Sequence, residues 1–285
     1  MDLRRRPYRS VLYIPGSKQR ALEKARSLPV DAIIFDLEDA VAVDEKDAAR
    51  ETLSEALGDG GYGPRIRIVR INGLDTGWGP ADAEAVTKME CDAVLLPKVE
   101  SSAQLDALAE RTGSVPIWAM METPRGMLNA VEIATHPKLA GMVMGTNDLA
   151  KELQSRPRAD RLPMLTSLSL CLLAAKAEKR VIVDGVYNAF KDDEGLRAEC
   201  VQGRDMGFDG KTLIHPAQID IANEVFAPTD EEIDLARRQI AAFEDAQAKG
   251  QGVAVVDGRI VENLHVATAR EILAKADAIE MLEAG

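Results

Sequence analysis

Hydrophobic positions along this chain fall in short, β-branched-rich runs, each closed by polar residues and each followed by a stretch with helical spacing. The runs lie at 11–14, 32–35, 66–71, 93–96, 117–121, 142–144, 181–183 and 212–214. Helical periodicity follows over 19–27, 45–57, 81–89, 103–110, 126–134, 164–179, 195–206 and 218–225. Eight strand-then-helix units mean parallel strands with helical crossovers, and eight is the number that closes a (β/α)8 TIM barrel. Several runs are almost continuously apolar, as strands covered on both faces are. A doubly wound open sheet is the rival arrangement. The connection at 145–163 is longer and more polar than its neighbours.

Beyond the eighth unit the repeat stops. A charged helix over 230–249, a hairpin over 253–261 and a last helix follow, with Asp257-Gly258 as a strong hairpin-turn signal. The pattern therefore divides the chain into a catalytic barrel, residues 1–228, and an extension, residues 229–285, that caps the barrel or reaches a neighbouring subunit. A length of 285 residues suits one such barrel.

Composition narrows the function. The 47 acidic residues outnumber 35 Lys and Arg, for a net charge of −12, and only 4% of residues are aromatic. Such a chain lacks both the cationic field and the stacking surfaces of a nucleic-acid binder. Residues 1–26 run against the trend, with eight basic residues (Arg4, Arg5, Arg6, Arg9, Lys18, Arg20, Lys24 and Arg26) and two acids. That local patch suits a phosphate-bearing small molecule. Cys91, Cys171 and Cys200 are scattered and form no C-x-x-C pair, so neither a disulfide framework nor a thiolate zinc site is expected. No apolar run approaches the roughly 18 residues of a membrane span, and no signal peptide is recognisable. The expected location is the cytoplasm.

Several familiar patterns carry no chemistry here. Gly58-Asp59-Gly60-Gly61-Tyr62-Gly63 fits G-x-G-x-x-G by letter, but it follows a helix and enters a strand, the reverse of a dinucleotide fingerprint. His136, His215 and His265 have no ligand-like spacing. The informative positions are the C-terminal ends of the strands, where barrels build their sites. Asp36-Leu37-Glu38-Asp39 follows the second run, Arg70 ends the third, Glu122-Thr123-Pro124 follows the fifth and Gly145-Thr146-Asn147-Asp148 the sixth. Five acids on three strand ends with one arginine between them suit Mg²⁺, a hard cation held by few carboxylates. Helix capping is the competing explanation for Asp39, Thr123 and Asp148.

These blocks resemble the citrate lyase β-subunit/malyl-CoA lyase family, within the HpcH/HpaI aldolase group, over essentially the whole chain. The resemblance rests on Ser10-Val11-Leu12-Tyr13-Ile14-Pro15-Gly16-Ser17, Asp36-Leu37-Glu38-Asp39-Ala40-Val41-Ala42, Val69-Arg70-Ile71-Asn72-Gly73, Leu96-Pro97-Lys98-Val99, Glu122-Thr123-Pro124, Gly145-Thr146-Asn147-Asp148-Leu149 and Ile214-His215-Pro216. It implies Glu122 and Asp148 as Mg²⁺ ligands and Arg70 as the contact to the reacting thioester oxygen. Glu38 and Asp39 match the acids that sit beside the metal-bound water and orient the arginine. Tyr13, Lys18 and Lys24 fall where the family contacts coenzyme A, although Lys18 stands where relatives carry arginine.

The same resemblance implies Mg²⁺-dependent cleavage of a malyl-CoA-type 3-hydroxyacyl-CoA to glyoxylate and acetyl-CoA. The family's proton donor is an aspartate given across a subunit interface, and here the matching position is Glu262. One added methylene moves that carboxylate by more than the roughly 1 Å that can cost 10²-fold in rate. The family's thioesterase branch hydrolyses malyl-CoA on the same framework, and a shifted Glu262 would suit activation of water. The lyase stands first as the commoner chemistry, with the (3S)-malyl-CoA thioesterase close behind it. A citrate lyase β subunit working on a carrier-bound thioester and a pyruvate-type aldolase are further alternatives. A trans-acting Glu262 implies a homo-oligomer, a trimer or hexamer.

Overall fold

The computed structural model describes residue 3 and residues 6–284; Arg4 and Arg5 of the basic N-terminal segment lie outside the described residues. The chain forms two compact units, Tyr8–Phe226 and 227–284, the second joined by Leu3, Arg6 and Pro7.

In the first unit eight strands close in chain order into a parallel barrel: β1 (Ser10–Pro15), β2 (Ala32–Asp36), β3 (Ile66–Arg70), β4 (Ala93–Leu96), β5 (Ile117–Met121), β6 (Leu139–Met144), β7 (Val181–Asp184) and β8 (Gly210–Leu213). The register of β1 against β8 completes the ring, with Val11 opposite Thr212. Every residue of β2, β4, β5, β7 and β8 is buried, the polar Asp36, Asp184, Lys211 and Thr212 included, as strands covered on both faces are. The helices are α1 (Gln19–Ala25), α2 (Lys46–Gly58), α3 (Gly79–Val86), α4 (Ser102–Thr112), α5 (Pro124–Leu128), α6 (Ala130–Ala134), α7 (Thr146–Glu152), α8 (Leu165–Ala177), α9 (Asp193–Met206) and α10 (Ile219–Phe226).

The structure departs from the hydrophobic pattern twice. The single helix expected over 126–134 is two, broken at Asn129, whose side chain leaves the helical path to donate to the Glu100 carbonyl at 2.7 Å. The polar connection over 145–163 contains α7, which buries Leu149 alone and so leaves almost no periodic signal.

Polar groups also hold the barrel together. Arg9 on the entry to β1 is buried and gives Asp31 a backbone and two side-chain hydrogen bonds of 2.7–3.0 Å. Asp184 at the end of β7 is fully buried and accepts two contacts from Arg161 Nη1, at 2.8 and 2.7 Å. Lys211, in register with it on β8 and equally buried, lies 3.3 Å from Asp184 and 2.6 Å from Glu199. Removing the central acid leaves two buried cations to share Glu199, 2.6 Å from Lys211 and 3.6 Å from Arg161. Asp184→Ala is therefore expected to cost about 3 kcal/mol or more in urea unfolding; a loss below about 1 kcal/mol would mean Glu199 alone suffices.

In the second unit, α11 (Asp230–Ala248) starts at a capping box in which Glu232 N donates to Thr229 Oγ1 and Thr229 N to Glu232 Oε2. Strands β9 (Ala254–Val256) and β10 (Arg259–Val261) then pair antiparallel. Asp257 and Gly258 both take positive φ, 51° and 73°, the conformation of the tight turn that their sequence announces. Phe243, Ala246, Ala254, Val261 and Val266 form a small core with α12 (Asn263–Glu283). Among the described residues no helix is long and apolar enough to cross a membrane.

Candidate active site

The strand ends bring an arginine and its acids together by register. Asp36 and Arg70 are the last residues of β2 and β3 and stand opposite each other. Arg70 accordingly grips Asp36 with both prongs, Nε to Oδ1 at 2.7 Å and Nη2 to Oδ2 at 2.5 Å. The same carboxylate accepts from Glu38 N at 2.9 Å and Ala40 N at 3.0 Å, so it also shapes the loop that follows β2. Burial alone would lower the pKa of the Arg70 guanidinium, but Asp36 holds it well above the ordinary value. Arg70 is a permanent, rigidly aimed cation.

The remaining acids of this loop differ in engagement. Glu38 is buried, with Oε2 2.8 Å from Arg70 Nη1 and Oε1 accepting from Lys98 Nζ at 3.1 Å. Asp39 reaches Arg70 only at 3.5 Å, and its side chain is 61% exposed. The bidentate orienter of the arginine is thus Asp36, two residues before the pair that the sequence suggested. Behind the loop, buried Lys46 donates to the Leu37 and Glu38 carbonyls and to Asn72 Oδ1, at 3.1, 2.9 and 2.7 Å. Asn72 in turn donates to Asp82 Oδ2 at 2.6 Å.

Glu122 follows β5 and is buried. Its Oε1 accepts from Lys98 N at 2.8 Å. A Cβ on Gly145 would lie 2.6 Å from its Oε2, so glycine is what lets the chain after β6 pass this carboxylate. Burial, and then repulsion from Glu38, push the Glu122 carboxyl up to about 7. The Lys98 N–H and the charges of Arg70 and Lys98 offset this only in part. Asp148, half-buried in the first turn of α7, makes no hydrogen bond or ion pair among the described residues and contributes charge at Lys98. Capping explains Thr123, which accepts from Gly126 N at 3.0 Å, and neither Asp39 nor Asp148.

No group of three or more His, Cys, Asp or Glu side chains among the described residues is arranged to hold a metal. Glu122 and Asp148, both of which act on the Lys98 charge, are the two acids that could hold one. Two hard oxygen donors with positions left for water and substrate fit Mg²⁺.

The other predicted residues are spread out. Tyr13 is half-buried at the same mouth, its ring 5.1 Å beneath the Arg70 guanidinium, and burial raises its phenol further above the usual range. Lys18 is exposed and pairs with Glu45 at 3.2 Å; Lys24 is exposed on α1. The basic patch is smaller than its composition suggests, because Arg9 is committed to Asp31 and Arg26 lies over the Tyr62 ring at 5.4 Å. Glu262 belongs to the second unit, at the start of α12, where its N–H donates to His265 Nδ1 at 3.1 Å. Lys98, part of a quoted motif but given no role by sequence, joins Glu38 and Glu122.

Fold and mouth together define a β/α-barrel enzyme that works with clustered carboxylates around one fixed arginine. The chain belongs to the HpcH/HpaI aldolase/citrate lyase family, whose model matches residues 9–216; a model of C–C bond lyases of the TIM-barrel fold matches residues 159–279. It is 68% identical to a (3S)-malyl-CoA thioesterase of Cereibacter sphaeroides strain KD131, covering 98% of both chains. It is 35% identical to the citrate lyase subunit beta of Leuconostoc mesenteroides subsp. cremoris, covering 96% of this chain and 95% of that one. Among solved structures it resembles protein CitE of Mycobacterium tuberculosis in complex with magnesium, acetoacetate and coenzyme A, with a TM-score of 0.82 and 33% identity over 96% of this chain and all of that chain.

Proposed function

We propose that this protein hydrolyses (3S)-malyl-CoA to malate and coenzyme A in a Mg²⁺-dependent reaction. The observation that carries the reading is the 68% identity, over 98% of both chains, to a thioesterase of that name. It moves hydrolysis ahead of the carbon–carbon cleavage that the sequence placed first.

Each residue then has a part. Glu122 and Asp148 hold the cation, which supplies Lewis-acid charge to the malyl end of the substrate. Arg70, held by Asp36 through Nε and Nη2 and with Nη1 2.8 Å from Glu38 Oε2, brings its fixed positive charge to the thioester oxygen and stabilises the oxyanion that forms there. Glu262 takes a proton from the attacking water. The new C–O bond forms at the thioester carbon, the C–S bond breaks and the thiolate leaves with a proton as coenzyme A. Lys18 and Lys24, exposed on the β1–α1 side, serve the phosphates of coenzyme A.

Supplying (3S)-malyl-CoA with Mg²⁺ tests the reading. Equal amounts of free thiol and malate with no glyoxylate are expected, whereas glyoxylate with acetyl-CoA would make the protein a lyase.

Glu262 acts across a subunit boundary in a homotrimer or homohexamer. Arg70→Met and Glu262→Gln proteins, each strongly impaired, are then expected to regain activity well above that of either alone when dissociated together and reassembled. No recovery, or a fully active monomer in sedimentation, would place Glu262 in its own subunit's site or outside the chemistry.

The raised pKa of Glu122 has its own consequence. Below about pH 7 the metal-free carboxyl is protonated, so cation binding must displace a proton. Apparent Mg²⁺ affinity is expected to fall as pH drops from 7 to 6 and to level off above 8. Calorimetry in two buffers of different ionisation enthalpy reads the proton directly, and a buffer-independent heat at pH 6 would contradict the assignment.

A further inference from the structure

Lys98 follows β4 with φ of +49°, a left-handed conformation uncommon for a residue with a side chain. Its N–H donates to Glu122 Oε1 at 2.8 Å, while its ammonium reaches Glu38 Oε1 at 3.1 Å. One residue therefore serves the two acids by separate means, backbone for one and side chain for the other.

Glu38 depends on this contact. Its Oε2 lies 2.8 Å from Arg70 Nη1, yet no hydrogen bond is directed at that oxygen. The Lys98 ammonium gives the only side-chain hydrogen bond that Glu38 accepts among the described residues. Without it, Glu38 is a carboxylate held by Coulomb attraction alone and able to turn. Its charge already acts on Glu122, and a third carboxylate beside a divalent cation is a ready additional ligand.

We infer that Lys98 is a positioning residue that keeps Glu38 on the Arg70 side of the mouth, so that the cation meets two protein carboxylates and keeps its other positions for substrate oxygens and water. The inference rests on the reading that Glu122 and Asp148 hold the cation. A third carboxylate would bind the ion more tightly, occupy a position the substrate needs and neutralise charge used in the reaction. The Lys98 side chain, 49% accessible, thus trades metal affinity for positions left open to substrate.

Mn²⁺ is the probe, with free ion followed by electron paramagnetic resonance on the full-length protein without substrate. Lys98→Gly suits the test, because glycine keeps the left-handed turn and the N–H to Glu122 while removing the ammonium. It is expected to bind Mn²⁺ on the order of tenfold more tightly than wild type. Lys98→Arg stays near wild type. The tightening disappears in a Glu38→Gln background, where the released side chain is no longer a carboxylate. Tightening of the same size in that background would reduce Lys98 to a nearby positive charge and overturn the proposal, as would unchanged or weaker binding by Lys98→Gly. The underlying reading fails separately, and the proposal with it, if wild type binds no Mn²⁺ or if Glu122→Ala binds it as well as wild type.

Discussion

Arg70→Met is expected to turn over (3S)-malyl-CoA about 10²–10³ times more slowly than the wild-type protein, with KM changed only a few-fold. The guanidinium matters most when the thioester oxygen becomes an oxyanion, so its loss belongs in kcat. Asp36 keeps two backbone hydrogen bonds, from Glu38 and Ala40, after the arginine is gone, and the loop after β2 retains its shape. Arg70→Lys restores charge without the two-pronged grip and is expected to recover only part of the rate. Steady-state kinetics with a thiol reagent measure both variants. A rise in KM at unchanged kcat would assign Arg70 to uniform substrate binding instead.

Glu122→Ala is expected to lower activity by more than about 10²-fold at any practical Mg²⁺ concentration, and chelation of the wild-type protein to do the same until Mg²⁺ is restored. Its loss should leave the fold intact. In the metal-free protein Glu122 holds its proton up to about pH 7, well above an ordinary carboxyl, because it is buried and faces Glu38. The folded state thus binds more protons than the unfolded state between about pH 4.5 and 7. Stability from this group is fully present below that window and is lost as pH rises through it. Without metal, Glu122→Gln is therefore expected to melt higher than wild type at pH 8 and at the same temperature at pH 4. Turnover of malyl-CoA unaffected by both chelation and Glu122→Ala would remove the cation from the account.

The barrel was legible because parallel strands covered on both faces leave short apolar runs that polar residues cannot imitate. Every one of the eight runs became a strand of the closed ring. Helix α7 was not legible, since one buried leucine makes no period. Within the site, Arg70, Glu38, Glu122 and Asp148 could be singled out as chemistry-capable residues at strand ends. What the chain could not reveal was which acid holds which cation. Asp36 is the partner of Arg70 because β2 and β3 run in a register that places them side by side, a property of the closed sheet. Lys98 was hidden for another reason: its role depends on a positive φ at a position where no glycine or asparagine announces one. The basic N-terminal segment misled in the opposite direction. Counting charges cannot separate an exposed Lys24 from an Arg9 already spent on a buried aspartate.

Single turnover of (3S)-malyl-CoA in H₂¹⁸O with Mg²⁺ present tests the central claim most directly. Direct attack of water on the thioester carbon predicts malate carrying one labelled oxygen in the carboxylate released from sulfur, formed at the rate of thiol release, with no glyoxylate trapped. Glyoxylate and acetyl-CoA appearing at that rate, before any labelled malate, would contradict it.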